Sequence, residues 1–105
     1  MSAVLFDTKA LIAICRENDV AKLEIFGSTA RGEANDDSDI DLLVEFSKRK
    51  SLLTLVAVER KMSAALGRKV DLLTEAAISP YLRDSIKRDL RVIYEAKGQY
   101  HNQNG

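Results

Sequence analysis

The stretch Asp39-Ile40-Asp41-Leu42-Leu43-Val44 constrains the fold more than any other feature, because it reads as a buried strand that carries two acids. Side chains alternate between the two faces of a strand, so Asp39 and Asp41 share one side while Ile40, Leu42 and Val44 take the other. Asp71 repeats the problem inside Lys69-Val70-Asp71-Leu72-Leu73. A carboxylate in such surroundings must be paired, protonated or bound to a cation. Three strand-borne aspartates therefore ask for one common explanation. Five of the nine residues from Glu33 to Asp41 are acidic, but Asp36 and Asp37 fall in a stretch that reads as a solvated loop.

The rest of the pattern supplies the elements for a sheet. Leu11, Ile12, Ile14 and Cys15 recur at helical spacing between Thr8 and Asn18, with Asp7 or Thr8 able to cap the start. Ala21 to Phe26 reads as a first strand, interrupted by Gly27-Ser28. A single helical turn from Thr29 to about Glu33 leads into Ala34-Asn35-Asp36-Asp37-Ser38, where polar side chains compete with a helix for backbone hydrogen bonds. A second strand runs from about Asp39 to Phe46. Ser51 to Leu66 places Leu52, Leu55, Val56, Met62 and Leu66 on one helical face and stops at Gly67. Arg68 to Thr74 forms a third strand. Ser79 then caps a helix opened by Pro80, with Leu82, Ile86 and Leu90 four apart. Arg91 to Ala96 makes a last short strand.

A chain of 105 residues matches the usual size of one domain. We assign residues 1–96 to it and residues 97–105, which include His101, to a polar tail with no ligand role. Sixteen basic residues offset sixteen acidic ones, so net charge points to neither nucleic acid nor membrane. No apolar run is long enough to cross a bilayer, and the first ten residues lack a secretory pattern. A cytoplasmic protein is expected. The single cysteine, Cys15, reads as packed core.

Oxygen ligands on a rigid sheet suit magnesium, which accepts a few carboxylates and keeps its other positions for water and phosphate oxygens. Asp39, Asp41 and Asp71 would fit a two-metal phosphoryl or nucleotidyl transfer site. Gly27-Ser28 follows a strand and opens a helical turn, where free backbone N–H groups can hold phosphate oxygens. It is not a P-loop, since no G-x-x-x-x-G-K-[ST] run is present. For strand one to deliver Gly27 to the start of strand two, the two must be antiparallel; for Asp71 to reach the same place, strand three must run parallel to strand two. The expected architecture is α+β, a mixed sheet of about four strands with helices packed on one face.

Gly27-Ser28, ten residues, then Asp39-Ile40-Asp41 resembles the G-S-x10-D-x-D signature of the DNA polymerase beta-like nucleotidyltransferase superfamily. Near-average residue usage would produce those four positions in roughly one chain of this length in a thousand. The longer strings from Phe26 to Phe46 and from Arg68 to Glu95 look like the minimal nucleotidyltransferases, the MNT group. The resemblance implies that Gly27, Ser28 and Arg31 face a nucleotide triphosphate and that Asp39 and Asp41 hold two Mg2+ ions. It also implies that Asp71 completes the metal site and helps deprotonate an acceptor hydroxyl. Members of that group typically pair with HEPN-domain toxins as antitoxins, transferring AMP from ATP to a tyrosine of the partner. Two other readings are an antitoxin that neutralises its partner by binding alone, and an enzyme modifying a small molecule such as an aminoglycoside. The partner surface is expected on the 51–66 helix or on the Arg91 to Ala96 strand.

Overall fold

The computed structural model describes residues 7–30 and 39–96. Helix α1 spans Thr8–Glu17 and is capped by Asp7, whose side chain accepts from the Lys9 and Ala10 backbone N–H groups at 3.0 and 3.3 Å. Leu11 and Cys15, one turn apart, are its buried residues. Burial pushes the Cys15 thiol up to about 12, so it stays protonated at neutral pH. Asn18 ends the helix, its side-chain amide donating to the Ile14 carbonyl at 2.7 Å.

Asp19 then takes a left-handed conformation, φ 58°, which a short polar residue tolerates. Its carbonyl accepts from the Ser47 N–H at 2.8 Å and its carboxylate binds Lys50 Nζ at 2.7 Å. The hydrogen bond and charge of Lys50 hold the Asp19 carboxyl below its ordinary range. This ties the α1–β1 corner to the segment that leaves β2.

Strand β1 is Val20–Phe26, and the one-turn helix α2 follows at Gly27–Ala30. Strand β2 is Ile40–Phe46, helix α3 Leu52–Leu66, and strand β3 Val70–Thr74. A short 3₁₀ turn, Glu75–Ala77, leads to helix α4, Pro80–Asp89, and strand β4, Arg91–Glu95. The sheet order is β3-β2-β1-β4. β1 is antiparallel to β2 and β4, and β2 is parallel to β3, as the sequence argument requires. Asp39 immediately precedes β2, and Arg68 and Lys69 precede β3. The expected helical turn began at Thr29; the observed one opens two residues earlier, and residues 31–38 lie outside the described set.

One face of the sheet is aliphatic. Leu23 and Ile25 of β1, Ile40, Leu42 and Val44 of β2, and Val70 and Leu72 of β3 pack against Leu11 and Cys15 of α1 and Val58 and Met62 of α3. Each fully buried aliphatic side chain contributes about 1.5–3 kcal/mol. The α3 face differs from the expected one. Leu55, Val58, Met62 and Leu66 form the packed row, whereas Leu52 is 73% exposed.

Two side chains of α3 also close the β3 edge. Glu59 Oε2 accepts from the Leu72 N–H at 2.9 Å and Ser63 Oγ accepts from the Val70 N–H at 3.0 Å. These bonds occupy donors that would otherwise template pairing with another chain. Gly67 ends α3 in the left-handed region, φ 65°, its N–H reaching the Ser63 carbonyl.

The opposite sheet face carries Lys22 and Glu24 from β1, Asp41, Leu43 and Glu45 from β2, and Asp71 and Leu73 from β3. Helix α4 lies on this side and lines one wall of a solvent-open cavity of about 680 Å³ against it. Ser79 caps α4 by accepting from the Tyr81 N–H at 3.3 Å, but no residue of α4 is fully buried. Tyr81 in its first turn is 95% exposed. Among the described residues no helix is long and apolar enough to cross a membrane.

Candidate active site

Strands β2, β3 and β4 run one way and β1 runs the other, so one end of the sheet collects the starts of three strands and the end of the fourth. The carboxylates stand there. Asp41 faces Asp71 across the parallel β2–β3 pair and Phe26 across the antiparallel β1–β2 pair. Both aspartates are partly buried, on the face away from the aliphatic core.

Gly27 follows Phe26 and takes φ +78°, a conformation that glycine adopts without strain. A Cβ on Gly27 would collide with Oδ2 of Asp41 and lie 3.3 Å from its Cγ. The absence of a side chain is therefore what lets the α2 turn and the Asp41 carboxylate approach each other. Helix α2 is one turn long and cannot hold itself in place by its own hydrogen bonds. Arg91, at the start of β4, donates from Nε to the Ala30 carbonyl at 3.0 Å and fixes its far end.

Asp39 projects to the same side from just before β2. Its Oδ2 lies 3.8 Å from Lys69 Nζ, and the Lys69 carbonyl accepts from the Ile40 N–H at 2.9 Å. Ile40 pairs with Val70 and Asp41 with Asp71, so Asp39 and Lys69 head the same two strands. Three carboxylates and one ammonium thus mark the corners of a small patch. Among the described residues the acids do not converge into a preformed metal-ligand cluster. Like charges in this spacing repel, and the Lys69 ammonium draws Asp39 toward itself. The donor set is nevertheless all hard oxygen, on adjacent strands of fixed register, which fits a small divalent cation better than a soft one.

The other residues named from the sequence fare differently. The Ser28 backbone belongs to α2, while the Ser28 side chain, Arg31, Asp36 and Asp37 lie outside the described residues. Lys69 and Arg91 were not singled out by sequence. A signal for Lys69 exists, since Lys69-Val70-Asp71 mirrors Asp39-Ile40-Asp41 position for position. Arg91 offers none, because its contact spans sixty-one residues.

Comparison with known proteins bears on the family and the fold. A model of the nucleotidyltransferase domain family matches residues 8–93. The chain is 45% identical over 78 residues to a Methanocaldococcus jannaschii protein provisionally named a protein adenylyltransferase, covering 74% of this chain and 84% of that one. A solved structure described as a minimal nucleotidyltransferase superposes with a TM-score of 0.70 at 34% identity, over 80% of this chain and 86% of that one. The complex of tri-AMPylated Shewanella oneidensis HEPN toxin with MNT antitoxin gives a TM-score of 0.66 at 19% identity, over 90% and 74%. That last likeness is one of fold alone. With a mixed sheet in the required register and a family match over most of its length, this chain belongs to the nucleotidyltransferase domain family.

Proposed function

We propose that this protein is a cytoplasmic, magnesium-dependent adenylyltransferase that moves AMP from ATP to a hydroxyl, of the tyrosine kind, on a HEPN-type toxin, and so acts as its antitoxin. The observation that carries the reading is the approach of Asp41 to the Cβ-less Gly27, with Asp71 in register beside it. The names of the M. jannaschii relative and of the S. oneidensis complex support the class of reaction and partner.

In this reading the Gly27 and Ser28 backbone N–H groups hold phosphate oxygens, and Arg31 adds positive charge from the adjoining segment. Asp39, Asp41 and Asp71 would hold the two Mg2+ ions, which when bound neutralise phosphate charge and make the acceptor hydroxyl more acidic. The acceptor oxygen forms a new bond to the α-phosphorus while the bond from that phosphorus to the bridging oxygen breaks. Pyrophosphate leaves, and the hydroxyl proton passes to Asp71. Rigid strands keep the acids in place, so little reorganisation accompanies the step.

The acceptor must come from outside. Arg91 and the exposed Val92 begin β4 at the carboxylate end of the sheet, where a partner could present a hydroxyl. The exposed Leu52 and Leu53 of α3 lie at the far end and suit contacts away from the chemistry.

The test combines the purified protein, alpha-labelled ATP, Mg2+ and the product of the neighbouring gene. Label should appear on the partner, and Asp39→Asn or Asp41→Asn should reduce transfer by at least about a hundredfold, the scale of losing one strong electrostatic stabiliser. Full neutralisation of the partner by those variants, with no transfer by any form, would replace this reading with an antitoxin that works by binding alone.

A further inference from the structure

Four residues head β2 and β3 on the polar face of the sheet, and Lys69 is the one that is not an acid. Asp39 and Asp41 stand two apart along one strand, and Lys69 and Asp71 stand two apart along its neighbour, in a parallel register that pairs Ile40 with Val70 and Asp41 with Asp71. The Ile40 N–H donates to the Lys69 carbonyl at 2.9 Å and fixes the lysine backbone beside Asp39. Only its side chain is left to move. Lys69 Nζ lies 3.8 Å from Asp39 Oδ2, with the lysine side chain 71% and the aspartate side chain 44% exposed. A pair this open to water contributes little to the fold and can be exchanged at small cost. Lysine suits such an exchange, being a hydrated point charge on a flexible stem where arginine would present a planar fork matched to one carboxylate.

The charges make this exchange a competition. An ammonium and a divalent cation at the same carboxylate repel each other, so one leaves as the other arrives. A displaced ammonium on a fixed backbone needs another anion within reach. Phosphate oxygens gathered at Asp39 and Asp41 would supply it, because neighbouring strands lie only about 5 Å apart and a lysine ammonium is a ready partner for phosphate. We propose that Lys69 is an exchangeable counterion: its ammonium competes with the divalent cation for Asp39 and, once displaced, binds a phosphate oxygen of the nucleotide. Metal and nucleotide then strengthen each other's binding by the same factor in either order. The inference rests on the reading that makes Asp39 a metal ligand.

The experiment uses Mn2+ in place of Mg2+ on the full chain. Electron paramagnetic resonance follows free Mn2+ as it is titrated without nucleotide, and calorimetry measures ATP affinity in excess Mn2+. Lys69→Met should bind Mn2+ alone about threefold to fivefold more tightly, the scale of one exposed charge pair. The same variant should bind ATP about tenfold more weakly, the scale of one charge-assisted hydrogen bond, with recovery in Lys69→Arg. In an Asp39→Asn background Lys69→Met should leave Mn2+ affinity unchanged, because the carboxylate they compete for is gone. Lys87→Met, whose ammonium faces Glu75 beyond the other end of β3, controls for a general loss of positive charge and should change neither affinity. Equal Mn2+ binding by Lys69→Met and the unmodified chain, including none by either, overturns the proposal, as does an effect of equal size in Lys87→Met. Mn2+ and ATP affinities that both survive Asp39→Asn would instead remove Asp39 as a metal ligand, and the exchange with it.

Discussion

Gly27 is the residue on which the site geometry turns. Its positive φ and the missing Cβ serve different ends, the first bending β1 into α2 and the second admitting the Asp41 carboxylate. Gly27→Ala forces both at once. The variant should lose about 1–2 kcal/mol of stability, read as a lower denaturation midpoint. AMP transfer should fall much further, by about a hundredfold, since a displacement near 1 Å at a reacting centre has that effect. Loss of stability without loss of transfer would show that Asp41 tolerates the shift. At this scale the sequence was informative: an aspartate between isoleucine and leucine in a strand declares itself. Lys69 was legible only in retrospect, because its relation to Asp39 depends on the pairing of two strands that are distant in sequence.

Among elements, α2 depends most on its surroundings. One turn leaves its carbonyls without helical partners, and Arg91 answers one of them from β4, the edge strand beside β1. Arg91→Ala should therefore loosen the turn rather than the fold. We expect the nucleotide concentration for half-maximal transfer to rise about tenfold, the worth of one charge-assisted hydrogen bond, with partial recovery in Arg91→Lys. The melting temperature should move by less than about 4 °C. Helix α3 teaches the complementary lesson. Periodicity located it and its Gly67 stop, but Leu52 and Val56 continue the apolar spacing on an exposed side, and Val58 rather than Val56 enters the core. Helical spacing defines candidate faces, and contact with the sheet selects one. The 59–63 pair that seals β3 follows the same logic, being two ordinary polar residues until an edge strand lies beside them.

For the whole molecule, stability rests on the layer between α1, α3 and the aliphatic sheet face. Met62 is fully buried at its centre. Met62→Ala should cost about 2–5 kcal/mol in denaturant unfolding, depending on how far α3 relaxes into the space. The other layer, where α4 spans the sheet from the end of β3 to the start of β4, is not closed in this way, and a comparable truncation at Ile86 should cost less. That asymmetry divides the molecule into a packed half that sets the register and an open half on which Asp41 and Asp71 stand.

The sequence by itself determined the α+β class, the order of the elements and the face on which the aspartates stand, because alternation along a strand fixes sidedness without reference to anything distant. It also supplied the strand directions, once a single site was required to collect Gly27, Asp41 and Asp71. Only the tertiary structure decided which residues meet across those strands. The Asp41–Asp71 register, the Lys69–Asp39 pair, the Arg91 tie to Ala30 and the cavity under α4 all join segments far apart in the chain. Such contacts follow from how the layers pack, and local periodicity carries no record of them.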